Sequence, residues 1–251
     1  MRRLTRPPGR QSARYDYDRA GRSYTATRAT DPRIAARIWA ALGDASTVLN
    51  VGAGTGSYEP EDRYVVAVEP SEVMASHRAT PAVRAFAEDL PFHDDSFDAA
   101  MAVLSDHHWR DPIAGLREMA RVARRVVVFQ FDAEAFPESW LVRDYLPEFS
   151  RLVRPPLLRK RAAAIGGRLE VVPIPWDCRD GFLHAYWRRP EAYLDERVRQ
   201  GASVWALLGP EVEARAVAAL RADLESGAWH ERNAEILELD ELDLGYRLLV
   251  A

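Results

Sequence analysis

Apolar positions along this chain follow two periods in turn. Behind Asp31-Pro32, a cap followed by a first-turn proline, Ile34, Ile38, Ala41 and Leu42 recur at helical spacing until Gly43 ends the run. Ser46 to Val51 is short, β-prone and bounded by turn formers, which predicts a buried strand. The alternation continues with a strand over Arg63–Val68, a helix from Pro70-Ser71-Glu72 to Arg78, and a short strand over Val83–Phe86. Further strands are predicted over Phe97–Leu104 and Val126–Phe131, separated by a helix that Asp111-Pro112 caps, with Leu116 and Met119 on its apolar face. Beyond Phe136 the pattern is aromatic and less regular. Helices are expected over Ser139–Leu152, interrupted near Pro147, over Leu157–Ile165 and over Pro210–Ser226, helix-prone chain over Asp180–Leu208, and strands over Leu169–Ile174 and Leu244–Val250. Strands alternating with helices predict an α/β fold, a doubly wound and mostly parallel seven-stranded sheet.

The chemistry gathers at the end of the first strand. Gly52, Gly54 and Gly56 follow Val51 directly, and a glycine turn at the carboxyl end of a parallel strand lets a ligand approach the backbone. Glu69 ends the second strand, where a carboxylate can accept hydrogen bonds from both hydroxyls of a ribose. A nucleoside-containing cofactor is the first inference. The glycines read G-x-G-x-G and not the G-x-G-x-x-G of dinucleotide binders, and only Ser57 to Tyr64 separates them from the next strand. Pro60 shortens that crossover further, leaving little helix N-terminus for a pyrophosphate. A cofactor without phosphates fits better.

Composition narrows the classes. A chain of 251 residues that is 47% hydrophobic can bury a large core, and it has no apolar run long enough to span a bilayer. Net charge of −4 argues against nucleic acid as the main partner. The arginine-rich start lacks the apolar segment of a secretory signal, so the cytoplasm is the expected location. Cys178, the single cysteine, excludes an internal disulfide and a cysteine-based metal site. No metal is expected.

Two stretches carry a family resemblance. Asn-Val-Gly-Ala-Gly-Thr-Gly over residues 50–56, with Glu69 beyond it, resembles motif I of the class I S-adenosylmethionine-dependent methyltransferases. Ala87-Glu88-Asp89-Leu90-Pro91-Phe92, continuing to Ser96-Phe97-Asp98, resembles the second diagnostic stretch of their small-molecule, ubiquinone-biosynthesis (type 11) group. The resemblance implies S-adenosyl-L-methionine as cofactor and O-, N- or C-methylation of a small-molecule acceptor. It implies cofactor contacts from Val51, Gly52, Ala53, Gly54, Gly56, Glu69 and Pro70, from the adenine-covering loop at Ala87, Glu88 and Asp89, and from Leu104 and Ser105. It also implies that residues 1–30 form an arm, partly disordered, that closes over the cofactor; Tyr24 and Arg28 are its candidates, Arg28 for the cofactor carboxylate. Residues 31–251 then form the methyltransferase domain, with a helical cap over the acceptor within 136–208.

Two departures stand out. Phe86 occupies the place of an acid that commonly meets the adenine, so either Phe86 stacks on the purine or Glu88 or Asp89 takes the polar role. No Lys-Pro-Gly-Gly turn precedes Val126. His107 and His108 stand just past the fourth strand, where the resemblance commonly places a His-His pair, and either is a structural loop residue or a general base. Trp109 either walls the acceptor pocket or packs. A nicotinamide-dependent oxidoreductase and a non-catalytic S-adenosylmethionine-binding protein stay open as alternatives, as do monomer and homodimer.

Overall fold

The computed structural model describes residues 28–251. The expected arm, apart from its last residues, and Tyr24 lie outside the described residues. Seven strands form one sheet in the order β3-β2-β1-β4-β5-β9-β6. These are β1 (Thr47–Val51), β2 (Tyr64–Val68), β3 (Ala82–Val83), β4 (Ala99–Val103), β5 (Val126–Phe131), β6 (Arg168–Val171) and β9 (Tyr246–Val250). β1 to β5 pair in parallel, while β9 runs antiparallel between β5 and β6. A separate two-stranded ribbon joins β7 (Ile174–Pro175) to β8 (Glu241–Leu242). The order reverses between β1 and β4. That is the switch point where open parallel sheets bind ligands.

The period-two alternation divides the core in two. Val48, Met101, Val127 and Phe129 face α1 (Pro32–Leu42) together with a thick aromatic layer holding Trp140, Trp187, Tyr193, Trp205 and Trp229. Their neighbours Leu49, Ala100, Ala102 and Val128 face Leu116 and Met119 of α3 (Pro112–Val122) and Leu158 of α4 (Leu158–Ala163). The short α2 (Glu72–Ser76) opens on a Ser71 cap. Among the described residues no helix is long and apolar enough to cross a membrane.

Local chemistry accounts for the second motif. Asp98 Oδ2 accepts from the Ser46 and Thr47 amides at 3.0 and 2.9 Å and from the Thr47 hydroxyl at 2.9 Å, tying β4 to the start of β1. Arg121 of α3 donates to the carbonyls of Phe92 at 2.8 Å and Leu90 at 3.1 Å, clasping Leu90-Pro91-Phe92.

Two expected elements differ. Ser139–Leu152 is not an α-helix: a π-helical turn at Leu141–Tyr145 gives way to a 3₁₀ segment at Pro147–Leu152. Pro147 supplies no amide hydrogen and moves Leu146 to φ −126°, ψ 48°, out of helical space. Asp180–Leu208 breaks into a 3₁₀ turn at Pro190–Leu194 and two short helices, α5 (Glu196–Gln200) and α6 (Ser203–Leu208). Asp195 caps the first of these and Gly201 ends it. Within 136–208, α4 and β6 belong to the sheet layers, as the helix and strand expected there imply. Further on, α7 (Pro210–Ser226) and α8 (Ala228–Arg232) bring Leu220 and Trp229 into the aromatic layer.

Candidate functional site

A cavity of about 370 Å³ opens past the C-terminal ends of β1, β2 and β4, within the range of small-molecule sites. Its floor is the glycine turn. Gly52 has φ +69°, and a Cβ there would stand 2.8 Å from Ser105 Cβ and Oγ. Ser105 Oγ donates to the Val51 carbonyl at 3.1 Å, which holds the turn against the end of β4. Glu69 is 7% exposed. Its Oε2 accepts from the Gly54 amide and its Oε1 from the Ser71 amide, each at 2.8 Å, so one carboxylate joins the glycine turn to the start of α2.

Beneath the turn, Asn50 Nδ2 donates to Glu59 Oε1 at 2.8 Å, and Arg78 Nη2 donates to both Glu59 oxygens at 2.8 and 2.9 Å. That contact with a carboxylate fixes which end of the Asn50 amide is nitrogen. Asn50 lines the cavity with its Oδ1 buried and without a hydrogen-bond partner among the described residues. A buried orphan acceptor in a cavity wall is costly unless a ligand supplies a donor.

Most of the expected contacts converge here. Arg28, Gly52, Ala53, Gly54, Glu69, Pro70, Ala87, Glu88, Leu104, Ser105 and His108 all line this cavity. Four candidates do not. Val51 is buried behind the turn, Gly56 sits against Glu59 and Arg78, Asp89 is exposed beyond the rim, and His107 faces another cavity. Phe86 lines the wall with the Arg110 guanidinium 4.5 Å from its ring centroid. Glu88 Oε1 accepts from the Arg110 and Asp111 amides at 2.6 and 3.0 Å, which fixes the turn into α3. The Trp109 indole packs over Gly115 of α3, where a Cβ would lie 2.4 Å from the ring. Asn50, Met74 and Arg110 were missed as lining residues.

A smaller cavity, about 50 Å³, adjoins the first and shares Arg28 and Leu104 with it. Its walls are mainly apolar and aromatic, with Phe131, Phe136, Phe182 and Tyr246, and His107 is set among them. Leu104 stands between the cavities in a left-handed conformation, φ +47°, which costs an L-residue roughly 1–2 kcal/mol. Arg28 is held by Asp180, whose Oδ2 also accepts from the Tyr58 hydroxyl at 2.9 Å. Burial first, then the Arg161 and Arg28 charges, push the His107 imidazole down to about 3, so it is neutral near pH 7. Among the described residues no group of three or more His, Cys, Asp or Glu could hold a metal ion.

Comparison with known proteins agrees with this geometry. Residues 49–129 match the family model of a methyltransferase domain. A demethylmenaquinone methyltransferase of Clavibacter sepedonicus is 30% identical over 176 residues, 62% of this chain and 71% of that protein. One from Corynebacterium urealyticum is 33% identical over 143 residues, 53% of this chain and 61% of that protein. Among solved structures, an Anabaena variabilis protein described as a methyltransferase from an antibiotic biosynthesis pathway superposes with a TM-score of 0.81 at 32% identity, covering 90% of this chain and 98% of that one. The chain therefore belongs to the class I S-adenosylmethionine-dependent methyltransferases of the type 11 group, enzymes that draw their methyl group from S-adenosylmethionine.

Proposed function

We propose that the larger cavity holds S-adenosylmethionine and that the smaller one receives a small-molecule acceptor. The observation that carries this reading is the junction of the two cavities at Leu104 and Arg28, past the switch point of the sheet. Glu69 takes the ribose hydroxyls, using lone pairs beyond those given to Gly54 and Ser71. Asn50 Oδ1 takes a donor from the cofactor, Phe86 and Ala87 flank the adenine, and Arg28 faces the cofactor carboxylate. The aromatic segments on the α1 side of the sheet form the cap over the acceptor. The relatives named as acting on demethylmenaquinone, and a rice relative named as a 2-methyl-6-phytyl-1,4-hydroquinone methyltransferase, support an acceptor that is an organic small molecule.

The cofactor supplies an activated methyl on a sulfonium. The protein's share is therefore to align the nucleophile and exclude water, and alignment alone is worth roughly 7–11 kcal/mol of barrier. The apolar walls of the smaller cavity suit that task. Calorimetric titration with S-adenosylmethionine, S-adenosylhomocysteine and NADH tests the reading. Micromolar binding of the first two and none of NADH is expected. Glu69→Ala should weaken S-adenosylhomocysteine about 10- to 100-fold, the range for hydrogen bonds to a charged group. Unchanged affinity would remove Glu69 from the site.

A further inference from the structure

His107 sits at the end of a buried polar chain that crosses from the α4 side of the sheet. Arg161 of α4 donates through Nη1 to Asp106 Oδ2 at 2.9 Å. Asp106 is fully buried, and its other oxygen accepts from Gln130 Nε2, on β5. Gln130 Oε1 accepts from the Phe131 amide at 2.8 Å, so the orientation of the Gln130 amide is set at both ends. The same Nε2 lies 2.9 Å from His107 Nδ1.

That geometry decides a tautomer. Gln130 Nε2 can only donate, so Nδ1 of His107 must be the acceptor nitrogen and the ring proton sits on Nε2. Among the described residues Gln130, Phe131 and His108 lie against the ring, with Arg28 on the shared cavity wall and the Arg161 charge acting on it from behind Asp106. The Asp106 charge is answered by Arg161 and Gln130, and is not directed at the imidazole. Among the described residues, no carboxylate lines the smaller cavity.

We propose that His107 serves the acceptor as a fixed N–H donor and not as a base, with Gln130, Asp106 and Arg161 as positioning residues that lock its tautomer. This rests on the smaller cavity being the acceptor site. The acceptor must then present an oxygen lone pair to Nε2–H, and the class that fits is an aromatic or apolar molecule with an ionisable hydroxyl, a phenolate or enolate. Such an anion has already given its hydroxyl proton to water, so the protein need remove none before methyl transfer. Its electron pair forms the new bond to the methyl carbon while the C–S pair stays on sulfur and leaves a neutral thioether. On oxygen this gives the ether directly, and on carbon it gives a neutral dienone or ketone whose C–H proton passes to water as the oxygen is reprotonated.

Nitrogen-15 spectra of the histidine-labelled protein, with His107→Phe to assign the ring, test the tautomer without any ligand. The expected result is a proton on Nε2, none on Nδ1, and no titration from pH 5 to 8.5. A proton on Nδ1, or titration within that range, overturns the proposal. In Gln130→Met the ring should become a mixture of tautomers; an unchanged ring would remove Gln130 from its positioning role.

4-Nitrophenol then probes the cavity in protein saturated with S-adenosylhomocysteine, because its absorbance separates phenol from phenolate. The phenolate should bind at least tenfold tighter than the phenol, and His107→Phe should abolish that preference. Absence of binding, equal binding of both forms, or a preference that survives in His107→Phe, would overturn the anion-reading role. Failure to saturate with S-adenosylhomocysteine would instead strike the cofactor assignment, and the tautomer result would stand apart from it.

Discussion

At Gly52 one added carbon meets two separate obstacles. The first is conformational: φ of +69° puts an L-residue in left-handed space, at roughly 1–2 kcal/mol. The second is a collision at 2.8 Å with Ser105, whose hydroxyl is committed to the Val51 carbonyl. Gly52→Ala should therefore weaken S-adenosylhomocysteine at least tenfold in calorimetry while leaving the fold's circular dichroism intact. Adding Ser105→Gly removes the collision and leaves the dihedral cost, so it should restore part of the affinity. A double variant that binds no better than Gly52→Ala would show that Ser105 is not the obstacle. The same scale explains what single residues revealed in advance. Glu69 could be read from its place after an apolar run, and Asp98 from its motif. Asn50 and Gln130 could have been found too, since each is a lone amide inside an apolar strand, and a buried amide needs partners.

Between β1 and β2 the crossover carries no helix, so the glycine turn needs support from elsewhere. Arg78, just beyond α2 and 2% exposed, provides it: one guanidinium holds Glu59 and reaches the Ala53 and Gly54 carbonyls at 3.4 and 3.5 Å. Removing one partner of a buried ion pair costs about 3–5 kcal/mol. Glu59 keeps 18% exposure, so the lower end applies. Arg78→Met should cost about 3 kcal/mol in urea unfolding and also weaken S-adenosylhomocysteine. Glu59→Gln in that background should recover part of the stability by removing the stranded charge. A loss in Arg78→Met no larger than for an exposed arginine would sink the brace. Arg78 was expected only as a helix end, because its partner lies nineteen residues earlier in a segment without periodicity. The aromatic segments were illegible for a related reason. Their backbone is shaped by distant groups, as where the Trp140 indole donates to the Trp187 carbonyl at 2.8 Å and the Trp187 indole to the Ile174 carbonyl at 3.0 Å. Helix-prone composition yields there to Pro147, Pro190 and such tertiary bonds. The strands of the main sheet, which show as short apolar runs because both of their faces are buried, were readable to within a few residues.

Across the whole molecule, two neutral histidines link stability to pH. His184 is 1% exposed between Ser139 and Tyr246, with Ser139 Oγ 2.9 Å from its Nε2 and the Phe136 ring edge-on at 4.2 Å. Burial pushes it down to about 3, as it does His107. Both rings titrate near 6.5 once unfolded. Between pH 6.5 and about 3 the unfolded chain therefore binds more protons, and stability falls as pH falls through that window. Asp31 behaves differently. Burial alone would raise it, but hydrogen bonds from Arg33 and the Arg179 amide outweigh that and hold it at about 2. Its contribution persists above its ordinary value near 3.8 and is lost only as pH falls toward 2. Loss of stability on acidification should thus begin near pH 6.5, with a slope of about 1.4 kcal/mol per pH unit for each buried histidine. His184→Leu will shift stability at pH 7.5 through lost hydrogen bonds, but the diagnostic quantity is the slope. Urea unfolding at pH 7.5, 6, 5 and 4 should give about half the wild-type slope below pH 6 in that variant. An equal slope in both would mean that His184 is charged in the folded state, and the aromatic layer would have to admit water to it.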